Sequence, residues 1–400
     1  MNQKMLVPEY LSTFECIGDK CEDNCCHEGW LITVEKKTYK KYKNLKDKSW
    51  NQKLSENVKR NKDYIDDANY AYIRLNEQRS CSFLTEKGLC SIHKELGSDY
   101  LCDTCKIYPR VRNKVHGDWE QSLSTSCPEA ARKILFLKEG ITFTYKDFPK
   151  PKLLSESIEK TIGNENYLNS YWEIRAFIIE ILQDRNYQLE NRLTLVGYFI
   201  DNLNEVNKAS RNIKNLIEDF KSLLQNGELN EVFTENCNVI DRIHHFLTFI
   251  KTRFQNPFMN KNFKKHVNNT IEGLSLNVND IDIIKSEKVF RNADVQYKKF
   301  LEKKGYVLEN YLVNVLYNSL MPKSENPLLD YAILTNYYFI LKTIILGYIA
   351  LEEEITDDLL VNLIYSFGRS IENYKHFQVF IDEVYPKDEI SLLNIIRTTI

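Results

Sequence analysis

The sequence predicts a mainly α-helical protein, with a loop-rich, cysteine-bearing N-terminal domain over residues 1–130 and a larger all-helical domain over residues 131–400. Glycine and proline are scarce, with 13 and 9 residues in a chain of 400. No proline interrupts the stretches between Pro151 and Pro257 or between Pro257 and Pro322, which favours long helices. Nine of the ten cysteines fall in the first 127 residues, so the chemistry of the N-terminal part differs from that of the rest. A chain of this length can hold two cores.

The first part of the chain predicts a cysteine loop, a short strand and a helix. Leu31 to Val34 is largely β-branched, and Thr38 begins an amphipathic turn. The polar stretch 43–79 predicts a surface connection or a hairpin. Glycines recur through residues 81–128 and predict loops. Loops of this kind need a bound metal to stay ordered.

From about Glu129 the pattern becomes helical. Apolar residues recurring at i, i+3, i+4 and i+7 predict a helix from Asn169 to Asp184. Ser210 and Gly227 are predicted as the N-cap and the C-terminal stop of the next clear helix. Further stripes predict helices within residues 239–250, 311–320, 328–351 and 359–385.

The charge balance and the apolar pattern exclude several classes of partner. With 54 basic and 56 acidic residues, the chain has no excess positive charge whose electrostatic field would attract nucleic acid or an anionic membrane. The N-terminus lacks the apolar segment of a signal peptide, and the longest apolar run, 331–351, is interrupted by Asn336 and Lys342. We therefore predict a cytoplasmic protein. In a reducing compartment, clustered cysteines favour metal or redox chemistry over disulfides.

The cysteines are the candidate metal ligands, and a 4Fe-4S cluster is favoured over zinc. Only Cys102 and Cys105 have the short spacing of a zinc knuckle, and the neighbours Cys25 and Cys26 are not expected to reach one ion without strain. The Cys127-Pro128 pair is typical of ferredoxin-type ligand runs. Zinc remains the alternative metal. The predicted ligands are Cys21, Cys25, Cys26, Cys81, Cys90, Cys102, Cys105 and Cys127.

Other sequence features that could indicate a functional site are weak or absent. Cys16 and Cys237 are predicted to be buried small hydrophobes. Cys21-x3-Cys25-x2-Glu28 departs from the Cys-x3-Cys-x2-Cys signature of radical S-adenosylmethionine enzymes at Glu28. The chain has no G-x-G-x-x-G motif, phosphate loop or H-E-x-x-H motif.

Several segments resemble one known family. They are YLSTFECIGDKCEDNCCHEGWLITVEKKTYKKY, CSFLTEKGLCSIH, LCDTCKIYPR and SCPEAAR in the first 132 residues, and ENYLVNVLYNSLMP (309–322) and SFGRSIENYKHF (366–377) later. These segments resemble the flagellin lysine-N-methylase family, known as FliB. The cysteine region is also similar to that of YkgJ-type zinc- or iron-chelating proteins. The resemblance is strong over residues 9–132 and looser afterwards.

The resemblance implies methyl transfer from S-adenosylmethionine to lysines of flagellin, by a protein that carries a 4Fe-4S cluster and binds donor and substrate in its helical domain. Glu309, Tyr311, Asn314 and Arg369 lie in the matching segments and are the candidates for contact with donor or substrate. The alternative is that Tyr311 belongs to the core and that Glu309 and Arg369 form a surface pair. A second hypothesis for the whole chain is a non-catalytic zinc- or iron-binding or redox module with a helical protein-interaction domain.

Overall fold

The computed structural model describes residues 2–27, 30–63, 66–149, 156–158, 165–208, 212–229, 238–253, 259–276, 282–324, 326–372, 375–386 and 389–400. Three residues of the sequence predictions, Glu28, Ser210 and Cys237, lie outside these ranges.

Helices make up most of the described chain, which confirms the mainly α prediction. The helices are α1 (Lys36–Lys43), α2 (Lys48–Asn57), α3 (Asp103–Ile107), α4 (Pro128–Leu135), α5 (Glu165–Asn169), α6 (Tyr171–Gln183), α7 (Leu189–Lys208), α8 (Ile213–Gln225), α9 (Val239–Arg253), α10 (Lys261–Gly273), α11 (Ile283–Asn318), α12 (Pro327–Ala350), α13 (Asp357–Phe367), α14 (Lys375–Val384) and α15 (Leu392–Thr399). A π-helical turn, Gly368–Glu372, follows α13.

The strands are β1 (Asn2–Pro8), β2 (Thr33–Val34), β3 (Val58–Arg60), β4 (Ala71–Ile73), β5 (Arg110–Val115), β6 (Asp118–Leu123), β7 (Phe143–Pro149) and β8 (Glu156–Ile158). They form a five-stranded sheet of order β7-β1-β6-β5-β8 and a three-stranded antiparallel sheet of order β2-β4-β3. In the larger sheet, β1 runs parallel to β6 and antiparallel to β7. β7 and β8 lie after residue 131. The prediction that the second part of the chain is all-helical is therefore wrong.

The large core contains the five-stranded sheet and the helices from α4 onward. Its buried residues run from Met5 of β1 to Ile395 of α15. At its centre, α12 contacts α7, α10, α11, α14 and α15. This helix is the one described helix that is long and apolar enough to cross a membrane, but 89% of its apolar window is buried inside the protein. Such burial is typical of the core helix of a globular domain.

The small core is a separate cluster of buried side chains from Ile32 to Cys102, and its partly buried residues include three more cysteines. It is built by the three-stranded sheet, α1, α2 and the loops that carry Cys81 and Cys90. The predicted strand and helix at the start of the chain correspond to β2 and α1. The predicted hairpin corresponds to the antiparallel pair β3 and β4.

The predicted helix boundaries hold for α6 and shift for two others. The predicted range 169–184 encloses α6. The N-cap of α8 is Asn212, whose side chain accepts from the Lys214 backbone N–H, and not Ser210. The stripe predicted over residues 311–320 is the end of α11, a 36-residue helix whose buried residues are concentrated in its last third.

Candidate metal centre and ligand cleft

Six cysteine thiols, five from the small core and one from the exposed Cys25, lie close enough to influence one another, and we call this group the thiol pocket. Cys25 and Cys26 approach from the N-terminal loop, where the Cys26 carbonyl accepts from the Cys81 backbone N–H at 2.8 Å. Cys102 and Cys105 lie at the start of α3, and the Asp103 N–H that opens this helix donates to the Glu35 carboxylate at 3.0 Å. The thiol pocket consists of Cys25, Cys26, Cys81, Cys90, Cys102 and Cys105.

Hydrogen bonds between thiols shift the pKa values within the pocket. The Cys26 side chain bonds with those of Cys25, Cys81 and Cys90, and these bonds raise the pKa of Cys26. The same bonds lower the pKa of Cys81, that of Cys25 to about 7 and that of Cys90 to about 6. The Cys26 thiol therefore favours the thiolate forms of its neighbours. Thiolates are the form in which cysteine binds metals.

The chemistry of this donor set fits a thiolate-bound metal, although no site is preformed. All nine cysteines in the described part of the chain are free thiols. The Cys26 thiol interacts with those of Cys25, Cys81 and Cys90, and together they make four, the number that either zinc or a 4Fe-4S cluster takes. Yet no group of three or more His, Cys, Asp or Glu side chains among the described residues has the arrangement of a finished metal site.

The prediction that Cys16 is buried is wrong, whereas the one about Cys25 and Cys26 at a single ion stays a prediction. The Cys25 and Cys26 side chains interact with each other, and the chain turns at Asn24, whose side chain accepts from the Cys26 N–H. Cys16 is exposed and not buried, because it lies in the surface segment after the short helical turn Glu9–Thr13.

The other two predicted ligands, Cys21 and Cys127, lie beside an arginine from the C-terminal half. Burial raises the pKa of Cys21, and raises that of Cys127 to about 12. The positive charge of Arg369 acts against this effect at Cys21. Cys127 is the N-cap of α4. These two thiols are therefore at the edge of the thiol pocket, where it meets the large core.

Arg369 connects the two cores at a place that we call the junction. Its guanidinium donates to the Asp23 carbonyl at 2.7 Å and to the Ser126 carbonyl at 2.9 Å, and it pairs with the Asp23 carboxylate at 2.7 Å. Asp23 lies between Cys21 and Cys25, and Ser126 precedes Cys127. One side chain thus fixes both cysteine segments.

The same π-helical turn carries Glu372, which the sequence did not single out. Its carboxylate accepts from the Tyr311 hydroxyl at 2.8 Å and from the Thr125 hydroxyl at 3.1 Å. Burial raises the pKa of Glu372 to about 7. Gly368 makes this packing possible, because a Cβ there would lie 3.1 Å from the Ser126 nitrogen. A π-helical turn is common at functional sites.

The remaining candidates from the sequence hold the large core together. Glu309 is only 1% exposed and pairs with Arg185 at 2.8 Å and with Arg192 at 2.6 Å, so the alternative prediction of a surface pair with Arg369 is wrong. The Asn314 side chain accepts from the Tyr10 hydroxyl and donates to the Leu123 carbonyl at 3.2 Å. Tyr311 is fully buried. The structure therefore brings Tyr311 and Arg369 to the junction and places Glu309 and Asn314 elsewhere.

A separate cleft of about 800 Å³ opens between α6, α8, β1 and the end of α11. Its floor includes Arg175, which forms a buried ion pair with Glu120 of β6. The Arg175 guanidinium lies 4.7 Å from the centre of the Trp172 ring and 4.8 Å from that of Tyr317. The lining residues are Leu6, Phe143, Trp172, Arg175, Ala176, Phe177, Ile179, Glu180, Ile181, Gln183, Asp184, Lys221, Leu224, Gln225 and Tyr317.

Comparison with known proteins decides the family. The model of the FliB lysine N-methylase C-terminal domain matches residues 175–393, more than half of the chain. The chain belongs to the FliB lysine N-methylase family.

Curated relatives of this FliB-family chain come from Salmonella. The lysine-N-methylases of Salmonella choleraesuis strain SC-B67 and Salmonella typhimurium strain LT2 are each 23% identical over 414 residues, which cover 97% of this chain and 98% of theirs. The flagellar biosynthetic protein FliU of Salmonella muenchen is 34% identical over 132 residues, 32% of this chain and 75% of that protein. No solved structure matches.

The FliB-family match spans the helical body and the junction but begins after all nine described cysteines. It includes Arg369 and Glu372 of the junction and most of the cleft lining in α6 and α8. The sequence could not reveal the cleft, because its lining comes from β1, β7, α6, α8 and α11. The one local signal was Arg175, a charged residue on the apolar stripe of α6, 2% exposed in the structure.

Proposed function

We propose that this chain is a protein-lysine N-methyltransferase that methylates surface lysines of flagellin, with S-adenosylmethionine as donor, and that it carries a 4Fe-4S cluster in its thiol pocket. The observation that carries the proposal is the similarity to lysine-N-methylases over 97% of the chain. The name of the flagellar relative FliU supports flagellin as the substrate and the cytoplasm as the location. The charge balance gives no reason to include nucleic acid or a membrane as a partner.

Any site that methylates lysine must meet one chemical requirement. A lysine amine with a pKa near 10.4 is neutral in only about 0.04% of molecules at pH 7. The site must therefore favour the neutral amine by removing water or by accepting its proton. The rate of methylation should rise with pH until the amine is deprotonated in the bound state.

For the metal, four directly interacting thiols, those of Cys25, Cys26, Cys81 and Cys90, are the proposed first choice of ligands. Cys102 and Cys105 are the nearest replacements, because Cys105 interacts electrostatically with Cys25 and Cys81. A 4Fe-4S cluster bound there would supply electron-transfer chemistry or structural order. Asp23 and Arg369 would hold the adjoining loop against the helical body.

The thiol pocket also favours a second function, a non-catalytic zinc- or iron-binding module. Four thiolates can bind a single zinc ion, and the helical body would then serve to bind a protein partner. Such a binding module is the alternative to the methyltransferase, with zinc as the alternative metal.

Anaerobic purification followed by iron, sulfide and zinc analysis tests the cofactor. Incubation of the purified protein with flagellin and S-adenosylmethionine, followed by mass spectrometry for methyl-lysine, tests the reaction. Iron and sulfide in equal amounts together with methyl-lysine are the expected results. Stoichiometric zinc and unmodified flagellin would instead identify the binding module.

A further inference from the structure

We infer that Trp30 is the contact residue for the substrate lysine, and that a lysine-bearing segment of the protein substrate docks at the opening of the thiol pocket with its lysine side chain against the exposed indole ring. The inference rests on the proposed function and specifies where the protein substrate binds. It brings the amine that is to be modified next to the cysteines of the small core.

The thiol pocket is closest to solvent at Cys25. Among its six cysteines Cys25 alone is exposed, whereas Cys81 and Cys102 are buried and the other three are half-buried. A lysine on the surface of another protein can approach the pocket only from the solvent side. Cys25 therefore marks the opening at which such a lysine would enter.

Trp30 lies at this opening and is held there by two contacts. Its indole N–H donates to the Cys25 carbonyl at 3.0 Å. Its ring packs against that of Tyr108, with 5.3 Å between the ring centres and 39° between their planes, and the Tyr108 hydroxyl is in turn hydrogen-bonded to the Ser126 hydroxyl at 3.1 Å. Because the ring is already fixed in place, little conformational freedom is lost when a ligand binds to it.

The exposure of Trp30 is not explained by packing. Trp30 is 38% exposed and belongs to neither core, and the next residue, Leu31, is 59% exposed. Trp50 of the small core, by contrast, is only 7% exposed. Exposed apolar surface beside a polar site is typical of an interaction surface, and tryptophan is among the residues that most often dominate binding energy.

The chemistry of this surface fits a lysine side chain. An ammonium cation is attracted to the face of an aromatic ring, and tryptophan gives the strongest attraction of this kind. The methylene groups of a lysine pack against apolar surface while the charged end stays in water, and Leu31 adds such surface next to the indole ring.

The segment that leads to Cys25 is acidic, which also favours a cationic ligand. Residues 15–27 contain four acidic residues and one lysine. Glu22 and Asp23 pair with arginines, whereas Glu15 and Asp19 are exposed and outnumber Lys20. The local charge therefore attracts a lysine-bearing segment more than an anionic membrane surface.

Two substitutions of Trp30 separate a contact with the lysine from a role in holding the cysteine loop. Trp30→Phe and Trp30→Leu both remove the indole N–H and with it the hydrogen bond to the Cys25 carbonyl, but only Trp30→Phe keeps an aromatic face. Tyr145→Leu is the surface control, because Tyr145 is a 60% exposed aromatic residue on β7, in the five-stranded sheet of the large core.

Binding is measured on the metal-loaded proteins by fluorescence anisotropy, with a flagellin peptide that contains one lysine and with the same peptide carrying norleucine in its place. Wild type and Tyr145→Leu should prefer the lysine peptide, and Trp30→Phe should keep part of this preference. Trp30→Leu should lose a preference of roughly two- to fivefold, which corresponds to a cation–π contact at an exposed site. Metal analysis of all four proteins checks that the thiol pocket is intact.

Kinetics of flagellin methylation give the second measurement. Trp30→Leu should raise KM for flagellin and change kcat little, because the contact is made to the bound lysine throughout the reaction. Equal behaviour of Trp30→Leu and Trp30→Phe in both assays would overturn the inference. Loss of metal in both variants would do the same, since Trp30 would then be a structural residue of the cysteine loop.

Two further outcomes have distinct meanings. Weaker self-association of Trp30→Leu in sedimentation, with an unchanged preference for lysine, would assign the surface to a second copy of the chain and overturn the inference while the proposed function stands. If the wild-type protein neither binds the lysine peptide nor methylates flagellin, the proposed function itself fails, and the inference fails with it.

Discussion

The small core and the large core bury different kinds of side chain. In the small core, cysteines stand where a larger domain would have aliphatic residues: Cys81 and Cys102 are 3% and 1% exposed. In the large core, long helices bury aromatic and aliphatic residues, such as the edge-to-face rings of Phe177, Phe199 and Phe220. A core as small as that of residues 32–105 is marginal by apolar burial alone. From this difference we expect order in the small core to depend on what its thiols bind, whereas the large core is stabilised by packing.

The largest expected effect follows from replacing Cys90 by serine. The variant should lose most of its iron, because the Cys90 thiol is one of the four in direct contact. Loss of the metal should open the small core but leave β1, β5, β6 and α4 in place, since these elements belong to the large core. Metal analysis and limited proteolysis would show this. Full iron content would remove Cys90 from the ligand set, and loss of the whole fold would contradict the division into two cores.

A large effect confined to the other core is expected for Glu309→Gln. The change leaves Arg192, whose side chain is 10% exposed, without its ionic partner, and breaking a buried pair costs about 3–5 kcal/mol. Chemical denaturation should report this loss while the metal content stays unchanged. The control is Asp357→Asn, which breaks an exposed pair with Lys304 and should cost at most about 1 kcal/mol.

The connection between the cores is tested by Arg369→Met. Removal of the guanidinium leaves the Asp23 carboxylate, 6% exposed, with a weaker set of partners, at a cost of about 3 kcal/mol. We expect this variant to unfold in two separate transitions, with the small core unfolding first, and the wild type to show less separation. Differential scanning calorimetry of the metal-loaded protein would measure this. A single transition shifted to lower temperature would mean that other contacts couple the cores.

A pH-dependent effect is expected from Glu372. Its pKa is raised by burial from 4.5 to about 7 in the folded state, so the folded protein binds this proton more tightly than the unfolded chain. The stability gained by protonation is complete below pH 4.5 and is lost as the pH rises through 7. Glu372→Gln removes this dependence. The difference in unfolding free energy between the variant and the wild type should therefore rise by about 2 kcal/mol from pH 5 to pH 8. A constant difference would contradict the raised pKa.

The smallest effect is expected for Cys16→Ser. Its thiol is exposed and no pocket thiol contacts it, so iron content and unfolding temperature should match the wild type. Cys237→Ser stays a prediction of the same kind from the sequence, since Cys237 stands apart from the other cysteines. Iron loss in either variant would add a ligand that the thiol pocket does not contain.

Local features of this molecule could be predicted from the sequence, and long-range pairings could not. The apolar stripe of α6 gave its range to within two residues at each end, because helical periodicity depends only on near neighbours. The five-stranded sheet escaped prediction, because β1 pairs in parallel with β6 and the register joins Met5 to Trp119. Likewise the contact between Asp23 and Arg369 spans 346 positions. Resemblance to a family indicated that Arg369 was of interest, but only the fold shows what it touches.

The segment that builds the small core lies in the sequence between β1 and its parallel partner β6. This position affects the order in which the two cores can form during synthesis. β1 ends at Pro8 and its parallel partner β6 begins at Asp118, so at ~5–20 residues per second the ribosome delivers the partner on the order of 10 s later. The whole of residues 32–105 emerges during that interval. The small core can therefore form while β1 is not yet paired with β6. Arg369 emerges much later, so the contact that joins the two cores through Asp23 is among the last to form.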